Sequence, residues 1–320
     1  MTTKVKWGII STAAIGTEHV IPAMINSAYC DIQAIASRNI AAAEKVAERF
    51  TIPKAYGSYE ALLEDDEIEA VYIPLPNHLH VPWTIKALEA GKHVLVEKPI
   101  ALSSEEAMKL MNESLKYPEL KVMEAFMYRH HPQWVKVKEL VDNKIIGELR
   151  TIQSSFSFFE DDPECIVNKK EYGGGSLMDI GCYPISISRF LFNEEPKNVQ
   201  AKIEYHPEFK TDTLATVILE FENGTSSFFS STLIPDNQQV EIFGTKGRIE
   251  IEVPFNPAPD KPAKIWLYHD DQKEEMVFSS CDQYTMQGDL FSLAILKDKP
   301  VPTPLQDAID NMRVIERLLA

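Results

Sequence analysis

The sequence predicts an α/β domain built on a doubly wound parallel sheet, followed by an α+β domain built on a large, mostly antiparallel open sheet. Three observations carry this. Short apolar runs alternate with helical patterns up to about Ala125, the rhythm of a parallel sheet covered on both faces. Beyond that point long alternating segments follow one another, the pattern of strands with one buried face. With 320 residues, the chain has room for one large or two medium domains. The change of rhythm places the domains at residues 1–124 and 125–320.

In the first half, strands are expected at residues 5–10, 32–36, 70–73, 93–96 and 121–123. Helices are expected near 16–26, 41–50, 59–63, 79–90 and 105–116, and Ser103 with Glu106 reads as a capping box that opens the last of them. In the second half, a helix near 133–143 precedes strands at 149–159, 199–205, 214–221, 225–233, 239–243, 248–253 and 264–268. Asn223-Gly224 is a tight-turn signal between two of these. A helix at 176–192 is expected to pack on one face of the sheet, a helix at 305–319 closes the chain, and the Pro-rich stretch 254–262 reads as a surface loop.

Composition narrows the function. A formal net charge of -16 and a pI of about 5.0 argue against a nucleic-acid partner, which calls for a basic face. An anionic cofactor stays open, since a phosphate site needs only local donors. Cys30, Cys165, Cys182 and Cys281 are widely spaced and contain no C-x-x-C pair. They are expected to be free thiols in a reducing compartment rather than a disulfide framework or zinc site. No apolar run approaches the ~20 residues of a membrane span, and the first residues lead straight into a strand without a secretory signal. A cytoplasmic location is expected.

The first strand leads into Gly8-Ile9-Ile10-Ser11-Thr12-Ala13-Ala14-Ile15-Gly16. A dinucleotide-binding Rossmann turn would read G-x-G-x-x-G here, and Ser11 and Ala13 stand where glycines are usual. Small residues still allow close backbone approach, and the Ser11 and Thr12 hydroxyls can donate to a phosphate at the helix N-terminus. Gly8, Ser11, Thr12, Ala13, Ala14 and Ile15 are therefore candidate cofactor contacts. The alternative is a plain strand-to-helix connection. An NAD-binding unit puts an acid about 20 residues after the glycine turn, on the ribose 2′-hydroxyl. Here the second strand ends Ala36-Ser37-Arg38-Asn39. Ser37 and Arg38 can bind a 2′-phosphate that a carboxylate would repel. NADP(H) is expected over NAD(H), with NAD still possible.

Two further motifs fall at carboxyl ends of strands, where such sheets bind ligands. One is Pro74-Leu75-Pro76-Asn77-His78-Leu79-His80; the other is Gly91-Lys92-His93-Val94-Leu95-Val96-Glu97-Lys98-Pro99. A lysine that closes an apolar strand and precedes proline is fixed in direction and would project into the cofactor cleft. His78-x-His80 and His130-His131 lack a third ligand at recognised spacing, so no metal is expected.

These motifs, with Glu124-Ala125-Phe126-Met127-Tyr128-Arg129 and Gly173-Gly174-Gly175-Ser176-Leu177-Met178-Asp179-Ile180-Gly181-Cys182-Tyr183, resemble the glucose–fructose oxidoreductase / inositol dehydrogenase / rhizopine-catabolism (Gfo/Idh/MocA) family of NAD(P)-dependent oxidoreductases, along nearly the whole chain. The resemblance implies that Lys98 is catalytic beside the nicotinamide. It puts Asn77 near the nicotinamide end, His80 near the cofactor ribose and Glu97 next to the nicotinamide ribose, with Pro74 a further candidate cofactor contact. The family's second motif, Asp-x-x-x-His, reads Asp179-x-x-x-Tyr183 here, similar to the branch of dimeric dihydrodiol dehydrogenase and NADP-dependent xylose dehydrogenase.

Asp179 and Tyr183 are four apart, so a helix stacks them on one face. An ordinary Tyr titrates near ~10, and a neighbouring ammonium favours the tyrosinate. The expected chemistry has Tyr183 exchanging the proton with the reacting oxygen, Lys98 stabilising alkoxide charge and Asp179 orienting substrate or lysine. Lys98 as direct proton donor is the rival within the same site. Tyr128, Arg129 and Asn168 are candidate substrate contacts, although Arg129 could equally be structural and Lys169-Lys170 a solvated charge pair. The expected activity is oxidoreduction of a sugar or polyol hydroxyl or carbonyl, of the aldose 1-dehydrogenase or sugar reductase type. The alternatives are a trans-dihydrodiol dehydrogenase and a non-catalytic NAD(P)-binding regulatory protein. Phe156, Phe158 and Phe228 lie on strands that the family uses to pair subunits, so a homodimer or higher homo-oligomer is expected.

Overall fold

A computed structural model describes residues 3–320, which fall into two compact units. One comprises Met1–Met127 with Gln283–Ile309, the other Tyr128–Asp282 with Asp310–Ala320. The segment 283–309 thus belongs to the first unit, where the change of sequence rhythm alone assigns it to the second.

In the first unit the strands are β1 (Val5–Ile10), β2 (Cys30–Ala36), β3 (Lys54–Tyr56), β4 (Ala70–Ile73), β5 (His93–Val96) and β6 (Val122–Glu124). They form a sheet in the order β3-β2-β1-β4-β5-β6, with every described pairing parallel. All their carboxyl ends therefore share one edge, and the order reverses between β1 and β4. Near-continuous apolar runs such as Ala70–Ile73, buried throughout, are what a sheet covered on both faces requires. Trp7, Ile9, Tyr72, Leu95 and Met123 form its core, and Phe291 of the helix Gln283–Leu296 packs into it, 5.6 Å from the Trp7 ring. The Trp7 indole N–H donates to Ser292 Oγ at 3.1 Å, so this late helix seals the first unit. At Ser103 the expected cap is present: its Oγ accepts from the Glu106 N–H at 3.1 Å, while the Glu106 carboxylate reaches back to the Leu102 N–H at 3.0 Å.

The second unit holds β7 (Leu149–Phe159), β8 (Asn198–Tyr205), β9 (Asp212–Glu220), β10 (Thr225–Ser231), β11 (Leu233–Gly244), β12 (Gly247–Ile251), β13 (Ala263–His269) and β14 (Gln272–Phe278). Their order is β14-β13-β12-β11-β7-β10-β9-β8. Among the described pairings β10 with β7 is parallel and the others are antiparallel. Ile152, Phe156, Val217 and Phe228 are buried under the helical segment Leu177–Phe192, whose residues are themselves almost all buried. The other face carries a shallow apolar depression of about 590 Å³ lined in part by Ile218, Phe229 and Ile234. The stretch 254–262 is a loop, but a surface loop only in part. Phe255 is fully buried against Phe156 and Tyr183, and the Pro254 carbonyl accepts from the Trp134 indole at 2.6 Å. Among the described residues no helix is long and apolar enough to cross a membrane.

Candidate active site

The first turn opens with a strained residue. Ser11 has φ 110°, a value suited to the glycine usual at this place, and its N–H is tied to the Ala36 carbonyl at 3.0 Å. Its Oγ accepts from the Ala13 N–H at 3.0 Å, which leaves the hydroxyl proton available to a phosphate oxygen. The chain turns helical at Ala14, widens into a π turn at Gly16–Val20 and continues as α-helix over Ile21–Ile25. Pro22 accounts for the widening, since it has no N–H to bond back and its ring crowds the preceding turn. Gly8 plays a different part from the one expected. It lies inside β1, where a Cβ would come 2.6 Å from Leu62 Cδ2, so its smallness serves packing beneath the helix Tyr59–Leu63.

Ser37 and Arg38 follow β2 directly beside this turn. Ser37 is buried with its N–H on the Tyr56 carbonyl at 3.0 Å, whereas Arg38 is exposed. Asn39 then caps the helix Ile40–Phe50 through the Ala41 N–H. After β4, Pro74 is buried and Asn77 half-buried at the start of a short 3-10 turn, Asn77–Leu79. After β5, Lys98 is half-buried. The neighbouring Glu97 carboxylate accepts from the Tyr72 hydroxyl at 2.6 Å and from the Lys98 N–H at 3.3 Å. Arg38, the Ser11 turn, Asn77 and Lys98 thus follow the ends of β2, β1, β4 and β5. Strands lie about 4.8 Å apart, so the row spans roughly 14 Å, an extended line suited to a dinucleotide lying across the switch point.

His80 does not have the role the motif suggests. It is fully buried, with Nδ1 2.7 Å from the Pro99 carbonyl oxygen and Nε2 2.6 Å from that of Leu75. Burial pushes it down to about 4 against the pull of both carbonyls. Both ring nitrogens face the protein's own backbone, so the ring offers none to a ribose.

In the second unit Asp179 and Tyr183 lie on a helical segment that also opens with a π turn, Leu177–Gly181, before the α-helix Cys182–Phe192. Pro184 again follows the widened turn. Such turns are rare and recur at functional sites. Tyr183 is 5% exposed, caged by Tyr128, Phe156 and Phe255 at ring-centre distances of 5.7, 5.5 and 5.3 Å. Asp179 is half-buried.

The segment is anchored by Asp212, which sequence reading missed. The Asp212 carboxylate is buried and accepts from the Leu177 N–H at 2.7 Å and the Ser176 hydroxyl at 2.8 Å. Burial raises its pKa above the ordinary value despite these donors. No local pattern marks it, because Ser176 and Asp212 meet only through the fold. The glycine run Gly173-Gly174-Gly175 is shaped by the same contact. Gly173 and Gly175 have φ 79° and 119°, and a Cβ on Gly174 would meet the Val167 carbonyl at 2.3 Å. A Cβ on Gly175 would lie 2.0 Å from Asp212 Oδ1. Gly175→Ala is therefore expected to destabilise the protein by about 2–5 kcal/mol, from backbone strain and a displaced cap. Urea denaturation checks this, and an unchanged midpoint would remove Asp212 as the anchor.

The expected substrate contacts fare unevenly. Tyr128 is fully buried, and its hydroxyl donates to Ser186 Oγ at 2.8 Å. Arg129 donates to the same Oγ at 2.8 Å and stacks on Phe190. Both tie the 3-10 turn Met127–His130 to the helix Cys182–Phe192, which is the structural reading of Arg129. Asn168 is buried, with its amide donating to the Glu160 and Asp162 carbonyls, so it braces a loop. Lys169 pairs with Glu164 at the surface. His131 caps the helix Pro132–Asp142. Among the described residues no group of three or more His, Cys, Asp or Glu could hold a metal.

Comparison with known proteins matches residues 5–125 to a model of the oxidoreductase family with an NAD-binding Rossmann fold. Residues 134–250 match the GFO/IDH/MocA C-terminal domain. The chain is 42% identical to an uncharacterised oxidoreductase of Rhizobium meliloti, covering 98% of this chain and 96% of that protein. It is 36% identical to a D-xylose 1-dehydrogenase (NADP(+)) of Haloferax volcanii, over 98% and 95%. Its fold superposes with TM-score 0.92 and 28% identity on a 3-ketoreductase from Actinomadura kijaniata in complex with NADP and TDP-benzene, covering 99% of this chain and 97% of that one. With both halves matched, the chain belongs to the GFO/IDH/MocA family of NAD(P)-dependent oxidoreductases.

Proposed function

We propose that the protein is an NADP(H)-dependent sugar oxidoreductase, passing a hydride between the cofactor and a hydroxyl or carbonyl of an aldose or related polyol. The observation that carries this is the row of Arg38, the Ser11 turn, Asn77 and Lys98 along one sheet edge, with an arginine and no carboxylate following β2. The similarity to an NADP(+)-linked xylose dehydrogenase and to a ketoreductase crystallised with NADP supports it. Structures of that ketoreductase include forms with one lysine or one tyrosine replaced, the two residue types at issue here.

The cofactor supplies the hydride chemistry when bound. The protein's part is to bind, orient and move a proton. Backbone N–H groups of the helix opening at Ala14 would hold the pyrophosphate, and Arg38 with Ser37 would hold the 2′-phosphate. Tyr183 exchanges the proton with the reacting oxygen, Lys98 stabilises the charge that develops on it, and Asp179 orients the substrate.

The test is cofactor absorbance at 340 nm with D-xylose, other aldoses and a trans-dihydrodiol, each with NADP and NAD. Turnover of aldoses with NADP is the expected result; turnover of none would sink the reading, and of dihydrodiols alone would redirect it. Arg38→Ala is expected to raise KM for NADP about ten- to a hundredfold, the value of a lost charge-assisted hydrogen bond, and to leave NAD kinetics near the parent. An equal effect on both cofactors would remove Arg38 from the phosphate site.

Two settings belong to the same reading. The open sheet face with Ile218, Phe229 and Ile234 pairs two copies of the chain, which light scattering at micromolar concentration checks. The four cysteines stand as free thiols, which suits a reducing cytoplasmic setting.

A further inference from the structure

Between Lys98 and the helix Ser104–Ser114, the chain makes one peptide group that is gripped at both edges. The Pro99 carbonyl faces His80 Nδ1 at 2.7 Å, and the Ile100 N–H donates to Glu124 Oε1 at 2.7 Å. These are the C=O and N–H of the same Pro99–Ile100 amide. His80 is 0% exposed and Glu124 3%, so two titratable side chains have been taken out of water at this one place. Burying such groups is costly unless each makes good hydrogen bonds. The opposite nitrogen of His80 lies 2.6 Å from the Leu75 carbonyl oxygen, and the neutral ring has one N–H, which the clamp places on Nδ1 toward Pro99.

We propose that His80 and Glu124 are positioning residues for Lys98, clamping the Pro99–Ile100 peptide so that the lysine backbone cannot turn. Lysine carries its charge on a flexible four-carbon stem, so the precision of its ammonium depends on how firmly its Cα is set. Rotating the clamped amide breaks a buried hydrogen bond at each edge. A displacement of ~1 Å at a reacting group can cost about a hundredfold in rate. Proline fixes one backbone angle on the carboxyl side of Lys98, and the clamp fixes the plane beyond it. Ordinary packing would not need a donor and an acceptor aimed at one amide.

The proposal rests on Lys98 being catalytic, and the experiment separates the two. The kcat and the NADP affinity by titration calorimetry are measured for His80→Leu, His80→Asn, His80→Gln, Glu124→Gln and Glu124→Ala, and for His80→Leu in a Lys98→Met background. Asparagine places its amide donor where Nδ1 stood, toward Pro99, and glutamine places it where Nε2 stood, toward Leu75. His80→Leu is expected to lose about ten- to a hundredfold in kcat, with NADP affinity within about threefold of the parent. His80→Asn should retain most of the rate and His80→Gln should fall toward the leucine variant. Glu124→Gln keeps an acceptor for Ile100 and should exceed Glu124→Ala. In the Lys98→Met background His80→Leu should cost nothing further. Parental kcat in a folded His80→Leu protein, or kcat and NADP affinity falling together, would overturn the clamp. Should the leucine variant not fold, equal kcat for the asparagine and glutamine variants overturns it. Parental turnover by Lys98→Met alone would instead overturn the catalytic reading of the lysine.

Discussion

Tyr183→Phe is expected to lower kcat by about two to four orders of magnitude, the range for loss of a positioned acid–base group. Stability should change little. The ring of Tyr183 is caged by Tyr128, Phe156 and Phe255, and phenylalanine keeps each of those contacts. Only the hydroxyl is removed, from a side chain 5% exposed and held by a segment whose start is pinned by Asp212. The substitution therefore separates chemistry from packing more cleanly than most. Single-turnover measurement with saturating NADP and an aldose shows the effect directly. Near-parental turnover would mean that the phenol moves no proton, and Lys98 would inherit that role.

Much of this arrangement is legible from local sequence because it is written in local physics. The strands Val5–Ile10, Ala70–Ile73 and His93–Val96 have the expected bounds, since each is a short, mostly apolar run. The strand Leu149–Phe159 and the helix Leu305–Leu319 follow equally from their periods. What escapes has a recognisable cause. Lys54–Tyr56 is three half-buried residues with no alternation, and Gln272–Phe278 is an edge strand of mostly exposed polar groups. The helix Gln283–Leu296 distributes its apolar residues around the cylinder instead of along a stripe. It also contains Gly288, which reads as a break, yet a Cβ there would come 3.0 Å from Cys30 Sγ and 3.2 Å from Met24. Close approach to the first unit explains that glycine, and only the fold reveals it. In β11 the piece containing Pro235 and Asp236, which lies between the expected strands 225–233 and 239–243, is a bulge between Leu233 and Asn237.

At the site the same division holds. Motif spacing puts Lys98, Glu97 and Asn77 just beyond strand ends, the edge where such sheets bind ligands. The His80 ring, the Tyr128 hydroxyl and the Asn168 amide N–H groups meet the protein's own atoms. A polar residue in a motif looks the same whether it meets a ligand or a carbonyl. Asp212 leaves no trace, and Glu124 appears in a motif with no role attached, since their partners lie 35 and 24 residues away in sequence.

Lys98→Met is expected to cost about two to three orders of magnitude in kcat, while leaving NADP affinity within about threefold. Methionine matches the lysine stem in length and removes only the ammonium, so the backbone hydrogen bonds around residues 97 to 100 should persist. The loss follows from where the charge sits: at the end of β5, half-buried and next to a buried Glu97 whose carboxylate is itself held by Tyr72. A cation fixed there is worth more against a developing alkoxide than one in bulk water, because little reorganises as the charge forms. The double variant with Tyr183→Phe then tests whether the two groups share one step. If the phenol moves the proton and the ammonium stabilises the oxygen that loses it, the two act as a unit. Removing both should cost little more than removing either, as for groups that share one step. If each lowers the barrier independently, the losses multiply, and kcat in the double variant falls by the product of the single effects. A Lys98→Met protein that turns over aldoses at the parental rate would end both schemes, since neither can run without a cation at the carboxyl end of β5.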